Sequence, residues 1–210
     1  MNKIILNGMV SSDVEFSHEV VGEKFYTFFL NTERTSGIAD VVKCMIPELY
    51  IDDIKVGNNV KLDGEIRTFN KIEEDRRKLD IFVFVTQKPE IQEEPEKYIT
   101  NEGLIKGYIC KKMPSRFTPN GRHIAEVVVA VNRSYGKSDY IPCITWGRNA
   151  ERVDRFEIGK PVTLEGRLQS RTYKKCVGEG EYVEKIAYEF SARTIGEYTP
   201  ATDEDMTIEN

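Results

Sequence analysis

Apolar and polar residues alternate along most of this chain with a period of two, the signature of strands that bury one face. Asn2–Val10 (NKIILNGMV) reads as a first strand, with Gly8 permitting a bend. Ser11–Ser17 reads as a turn. Glu23–Thr32 (EKFYTFFLNT) and Ala39–Ile46 (ADVVKCMI) are strand-like runs separated by a Ser36-Gly37 turn. Pro47–Lys55 is the best short-helix candidate of this half, with proline near its start. Asn59–Thr68 (NVKLDGEIRT) alternates again, Lys71–Lys78 reads as a charged hairpin tip, and Leu79–Thr86 closes the series. Gln87–Thr100 holds two prolines and four glutamates with little to bury, and reads as a linker.

The pattern then returns. NKIILNGMV at 2–10 is matched by NEGLIKGYI at 101–109, and Arg34 and Cys44 fall opposite Arg133 and Cys143, at an offset of 99. GNNVKLDG at 57–64 matches GKPVTLEG at 159–166, at an offset of 102. A repeat of this length is a duplicated domain. The second copy predicts strands over 102–110, 122–132, 138–147, 160–173 and 181–195, a helix over Arg148–Phe156, and a hairpin turn at Cys176–Gly180. Ala150, Val153 and Phe156 give that helix one apolar face. Five strands with one short helix after the third fit an all-β chain of two tandem five-stranded barrels of the OB type. A β-sandwich is the alternative architecture, which usually lacks the helix. The domain boundaries expected are 1–86, a linker over 87–100, 101–196, and an acidic, disordered tail over 197–210.

Charge separates the two copies. Residues 1–100 hold 13 Lys and Arg against 19 Asp and Glu; residues 101–196 hold 17 against 11; residues 197–210 hold five acids and no base. A basic domain between acidic segments points to a polyanion as partner of the second copy. No apolar run reaches the roughly 18 residues of a membrane span. The first residues turn polar at Asn7, too soon for a signal peptide, so a cytoplasmic location is expected. The four cysteines form no CxxC pair and only His18 and His123 accompany them, so no metal site is expected. Cys44, Cys110 and Cys143 sit in apolar strand contexts and read as buried free thiols. No P-loop, GxSxG or HExxH motif occurs, and neither an enzymatic activity nor a cofactor is expected.

The second copy's exposed-ring candidates lie between Asn132 and Tyr173. Single strands are bound by rings that stack on bases and cations that follow the phosphates. Tyr135 sits in a glycine turn, Tyr140 opens a strand, Trp146 ends it, and Tyr173 lies in the run SRTYKK. Tyr140 and Trp146 are six apart, which puts both on one face unless Pro142 disturbs the alternation. Trp146 in CITWG also reads as a core ring. The accompanying cations are Arg133, Arg148, Arg167, Arg171, Lys174 and Lys175. Phe117, in the SRFTPNG turn, is a weaker ring candidate.

Residues 101–196 resemble the bacterial single-stranded DNA-binding protein family in NEGLIKGYI, TPNGRHIAEVVVAVNRSY, DYIPCITWGRNAERV, GKPVTLEGRLQSRTY and YEFSARTIG, in that order. The resemblance implies an OB barrel that binds single-stranded DNA with little sequence preference, in replication, repair or recombination. It places the family's four stacking positions on Tyr135, Tyr140, Trp146 and Tyr173. Single-stranded RNA is a variant of this reading, because stacking does not read the sugar. The corresponding positions of the first copy are Ser36, Val41, Pro47 and Lys71, none of them aromatic. That copy therefore reads as an assembly or regulatory domain, with Phe69 and Arg76–Lys78 as its remaining contact candidates. The family commonly brings four OB folds together, which implies a homodimer here, with pairing through the first strands as one route. Its usual acidic end with a hydrophobic tip recruits replication and repair proteins; TDEDMTIEN is acidic but carries no such tip. The competing reading is a primosome-like protein-interaction module in which nucleic-acid binding is secondary.

Overall fold

Alternating burial along each strand sets the architecture. The computed structural model describes residues 1–73, 76–93, 101–178 and 181–200, with the backbone alone described at 72, 73, 76, 77, 175 and 177. In β1 (Asn2–Val10), Ile4, Leu6 and Val10 are fully buried. The first copy continues with β2 (Glu15–Val20), β3 (Glu23–Glu33), β4 (Ala39–Pro47), a 3-10 helix (Glu48–Asp53), β5 (Asn59–Glu73), β6 (Arg76–Val85) and the short β7 (Glu90–Gln92). The second copy comprises β8 (Asn101–Lys112), β9 (Arg116–Phe117), β10 (His123–Asn132), β11 (Ser138–Trp146), α1 (Arg148–Arg155), β12 (Pro161–Gly178) and β13 (Glu181–Glu197).

Strand pairings run β1–β3–β4–β6–β5 and back to β1. In the second copy they run β8–β10–β11–β13–β12 and back to β8. Among the described residues, only the β4–β6 and β11–β13 pairs are parallel. The chain is thus two closed five-stranded rings, the tandem OB-type arrangement expected. Closure requires backbones to touch where strands cross. A Cβ at Gly8 would collide with the Asn31 carbonyl, and one at Gly107 with the Ala130 carbonyl.

Several boundaries differ from the sequence reading, each for a local reason. The expected turn at Ser11–Ser17 runs into β2, an edge strand exposed along its whole length that pairs only with β3; with no buried face it leaves no apolar period to read. The expected hairpin tips are mostly strand, because β5 and β6 pair out to Glu73 and Arg76, and β12 and β13 out to Gly178 and Glu181. Residues 74, 75, 179 and 180 at those tips lie outside the described residues, as do 94–100 of the expected linker and 201–210 of the tail. Within the linker span, β7 adds to β5 through Val60↔Ile91. At the tail's start, Glu197 ends β13 and Tyr198 packs on Tyr108 at 6.5 Å, with the Lys106 ammonium 5.8 Å from its ring. The helix after the third strand is α-helical only in the second copy. There Ala150 and Val153 are buried. Its counterpart Glu48–Asp53 buries no residue. Cys44 and Cys143 are buried and Cys110 is exposed: in β8 the alternation gives the core face to Ile105 and Ile109, which turns the adjacent Cys110 outward. Burial raises the Cys44 and Cys143 thiol pKa values well above their usual range.

The barrels are joined twice over. Their first strands pair with each other, β1 with β8, from Asn2↔Ile105 to Leu6↔Asn101. Around this ladder two buried aspartates make equivalent contacts. Asp40, 1% exposed, accepts from Arg34 Nε at 2.7 Å and from the Ser170 amide at 2.8 Å, and the Ser170 hydroxyl accepts from the Val41 amide at 2.9 Å. Asp139, fully buried, accepts from Arg133 Nε at 2.7 Å and from the Thr68 amide at 2.6 Å, and the Thr68 hydroxyl accepts from the Tyr140 amide at 2.9 Å. Each barrel's aspartate thus holds a strand of the other.

Candidate nucleic-acid interface

The β10–β11 ladder runs without a shift from Ile124↔Trp146 to Asn132↔Ser138. Pro142 therefore does not disturb the alternation, and Tyr140 and Trp146 both carry exposed surface, 47% and 37%. Trp146 is therefore not a core ring. It is followed by Gly147, whose φ of 55° starts the turn into α1, so Arg148 emerges exposed beside it.

Tyr135 lies in the turn between β10 and β11, closed by the Arg133 amide donating to the Lys137 carbonyl at 2.7 Å. Its φ is 75°, a left-handed conformation that costs a non-glycine residue about 1 kcal/mol. The ring is 99% exposed. On β12, buried Leu168 fixes the outward phase of Arg167, Arg171 and Tyr173. Tyr173 is 38% exposed, and the Arg171 guanidinium lies 5.9 Å from its ring.

The cations divide into two groups. Arg148, Arg171 and Lys174 are exposed and make no ion pair among the described residues. Arg133 instead pairs with Asp139 and donates to the Thr68 carbonyl at 3.1 Å, so its charge is matched inside the protein. Arg167 is half-buried; burial, then the neighbouring Arg34, lowers its pKa, and its Nε has no hydrogen-bond partner. The side chain of Lys175 lies outside the described residues. Phe117 is exposed and stacks on His123, with ring centroids 4.8 Å apart.

Neighbours that the sequence pattern missed come from register. Lys185 sits opposite Tyr173, and Tyr182, 64% exposed, opposite Cys176. Tyr173 also lines a groove with Pro142, Lys185 and Tyr188 that reaches Lys43 and Asp80 of the first barrel. Tyr135 lines a different groove, which also includes Lys43 and Asp80. The four rings are thus not gathered in one pocket: two lie on β11 and the other two at separate grooves that meet on the first barrel. Such a surface can stack planar groups and attract anions along a path.

Comparison with known proteins relates the chain to a family. The Single-strand binding protein family matches residues 100–194. "Single-stranded DNA-binding protein A" of Bacillus subtilis (strain 168) is 34% identical over 96 residues, 42% of this chain and 56% of that protein. The chain thus spans about half the length of that relative. "Single-stranded DNA-binding protein B" of the same organism is 31% identical over 93 residues, 41% of this chain and 82% of that protein. The crystal structure of the wild-type single-stranded DNA binding protein from Thermus aquaticus superposes with a TM-score of 0.75 at 15% identity, covering 96% of this chain and 95% of that one. That likeness is one of fold, and it includes both barrels.

Proposed function

The chain belongs to the single-strand binding protein family, and from that premise we propose that it binds single-stranded DNA on the outward face of the second barrel, largely without reading sequence. The observation that carries this is the exposure of Tyr135, Tyr140, Trp146 and Tyr173 together, on the barrel that holds the excess of basic residues. Each stacked base contributes about 1–3 kcal/mol. Arg148, Arg171 and Lys174 follow the phosphates. Arg133 serves the joint between barrels rather than the DNA, and Arg167 is half-buried, its one hydrogen bond among the described residues going to Gln169. The protein acts by binding, without catalysis, in the cytoplasm during replication, repair or recombination.

Assembly follows from barrel count. Two chains supply the four barrels common in the family, so the working form is a homodimer. β1 and β8 are already paired within the chain, so dimerisation uses another surface than the first strands.

Anisotropy of a labelled oligo(dT) at low salt tests the binding surface. Replacing Tyr140 and Trp146 together by alanine removes two stacking rings, and the affinity falls at least about 30-fold. Undiminished binding by that variant, or no binding by the wild type, overturns the reading.

A further inference from the structure

The first barrel carries rings where the family's four stacking positions do not. Ile81, Val83 and Val85 fill its core, so Phe82 and Phe84 of β6 point outward. Ile66 and Thr68 point inward, which turns Phe69 of β5 to solvent, 60% exposed. Phe25 of β3 joins them, 6.0 Å from Phe84 between ring centroids, with His18 stacked on it at 5.2 Å. Together they line a groove of about 840 Å³.

These rings have no aromatic counterparts in the second barrel. Phe82 pairs with Arg67 as Glu189 pairs with Gln169, and Phe84 pairs with Glu65 as Ser191 pairs with Arg167. At the repeat offset, Phe69 corresponds to Arg171. Four phenylalanines on the outer face of an acidic barrel are a patch of the kind that marks a binding surface.

The occupant is indicated by what surrounds the rings. Lys43, Lys71 and Lys137 line the groove against two carboxylates, Glu23 and Asp80, while Arg67 and Arg133 beside them are paired with Glu65 and Asp139. Lys43 and Lys71 share the single Asp80, which leaves a surplus of positive charge beside the phenylalanines. At one end stands Tyr135 of the second barrel. At the other, Lys43 and Asp80 lead into the groove of Tyr173. An apolar peptide would use the rings alone; a strand of bases and phosphates uses the rings, the cations and both flanking tyrosines.

We propose that the first barrel has its own single-strand-binding groove, in which bases stack on Phe25, Phe69, Phe82 and Phe84 while one DNA strand passes from Tyr135 to Tyr173. The proposal rests on the reading of the second barrel as a DNA-binding surface and gives the first barrel a share in the same path, in place of a purely assembly or regulatory role.

The test uses the full chain and oligo(dT) of about 30 nucleotides, longer than one barrel occupies. Phe69→Ala with Phe82→Ala lowers the affinity at least about 30-fold and shortens the length of DNA covered per chain. Equal affinity and equal covered length in wild type and variant overturn the groove while leaving the second-barrel reading intact. Absence of binding by the wild type overturns both. Because the variant's fold has to be intact, photo-crosslinking of wild-type protein to 4-thiothymidine oligonucleotides gives an independent reading. Crosslinks at Phe69 or Phe82 support the groove; crosslinks confined to residues 101–196 overturn it and leave those rings to a protein partner.

Discussion

Arg133 and Tyr135 are two residues apart and have opposite fates. Tyr135 turns its ring to water, whereas Arg133 is held by the fully buried Asp139. The sequence contained the means to separate them. Arg34 occupies the equivalent position in a copy that has lost all four stacking aromatics, and it makes the equivalent contact with Asp40. A residue kept where the ligand surface has changed serves the architecture. Asp139→Ala leaves Arg133 without its carboxylate, Arg67 with Glu65 alone, and the Thr68 amide without its acceptor. The expected loss is about 3 kcal/mol, the low end for a broken buried pair, because both arginines keep part of their surface in water. Chemical denaturation measures it, and the variant's two barrels should unfold in separate steps. A midpoint equal to that of the wild type would contradict the role assigned to Asp139.

Elements were legible where they bury one face. The alternation in β1, β3, β4, β8, β10 and β11 located each to within a residue or two, and the glycines marked the bends. β2, exposed along its length, offered no such pattern. The outer ends of β5, β6 and β12 were missed because they extend beyond the barrels, where pairing rather than burial defines the strand, whereas β13 was located from Glu181 onward. Register was invisible for the same reason, and with it the placing of Lys185 beside Tyr173. The first-barrel phenylalanines were present in the sequence, but only strand phase shows that Phe69, Phe82 and Phe84 share an outward face. Closure of the second barrel depends on Gly107, where a side chain meets the backbone of β10. Gly107→Ala should destabilise the protein by about 2 kcal/mol and lower its Tm, since backbone cannot yield as a side-chain tip can. An unchanged Tm would show that β8 and β10 are not held so close.

At the scale of the whole molecule, charge and duplication were readable from composition, but the way the two barrels meet was not. The β1–β8 ladder and the reciprocal aspartates join residues far apart in the chain, so no local pattern announces them. Their consequence is that a strand can pass from one barrel to the other over a fixed surface. Sedimentation equilibrium tests the proposed assembly: a mass of twice the 24.1 kDa chain is expected, and a mass of one chain would contradict it. Phosphate contacts predict that log affinity falls with log salt at a slope of about −0.7 per phosphate neutralised. The most direct measurement is the fluorescence of Trp146, the only tryptophan in the chain, during titration with oligo(dT) at two salt concentrations. Stacking on the second barrel predicts strong quenching that saturates and weakens as salt rises. Emission that stays constant while the oligonucleotide is bound would remove Trp146 from the interface and contradict the surface assigned here.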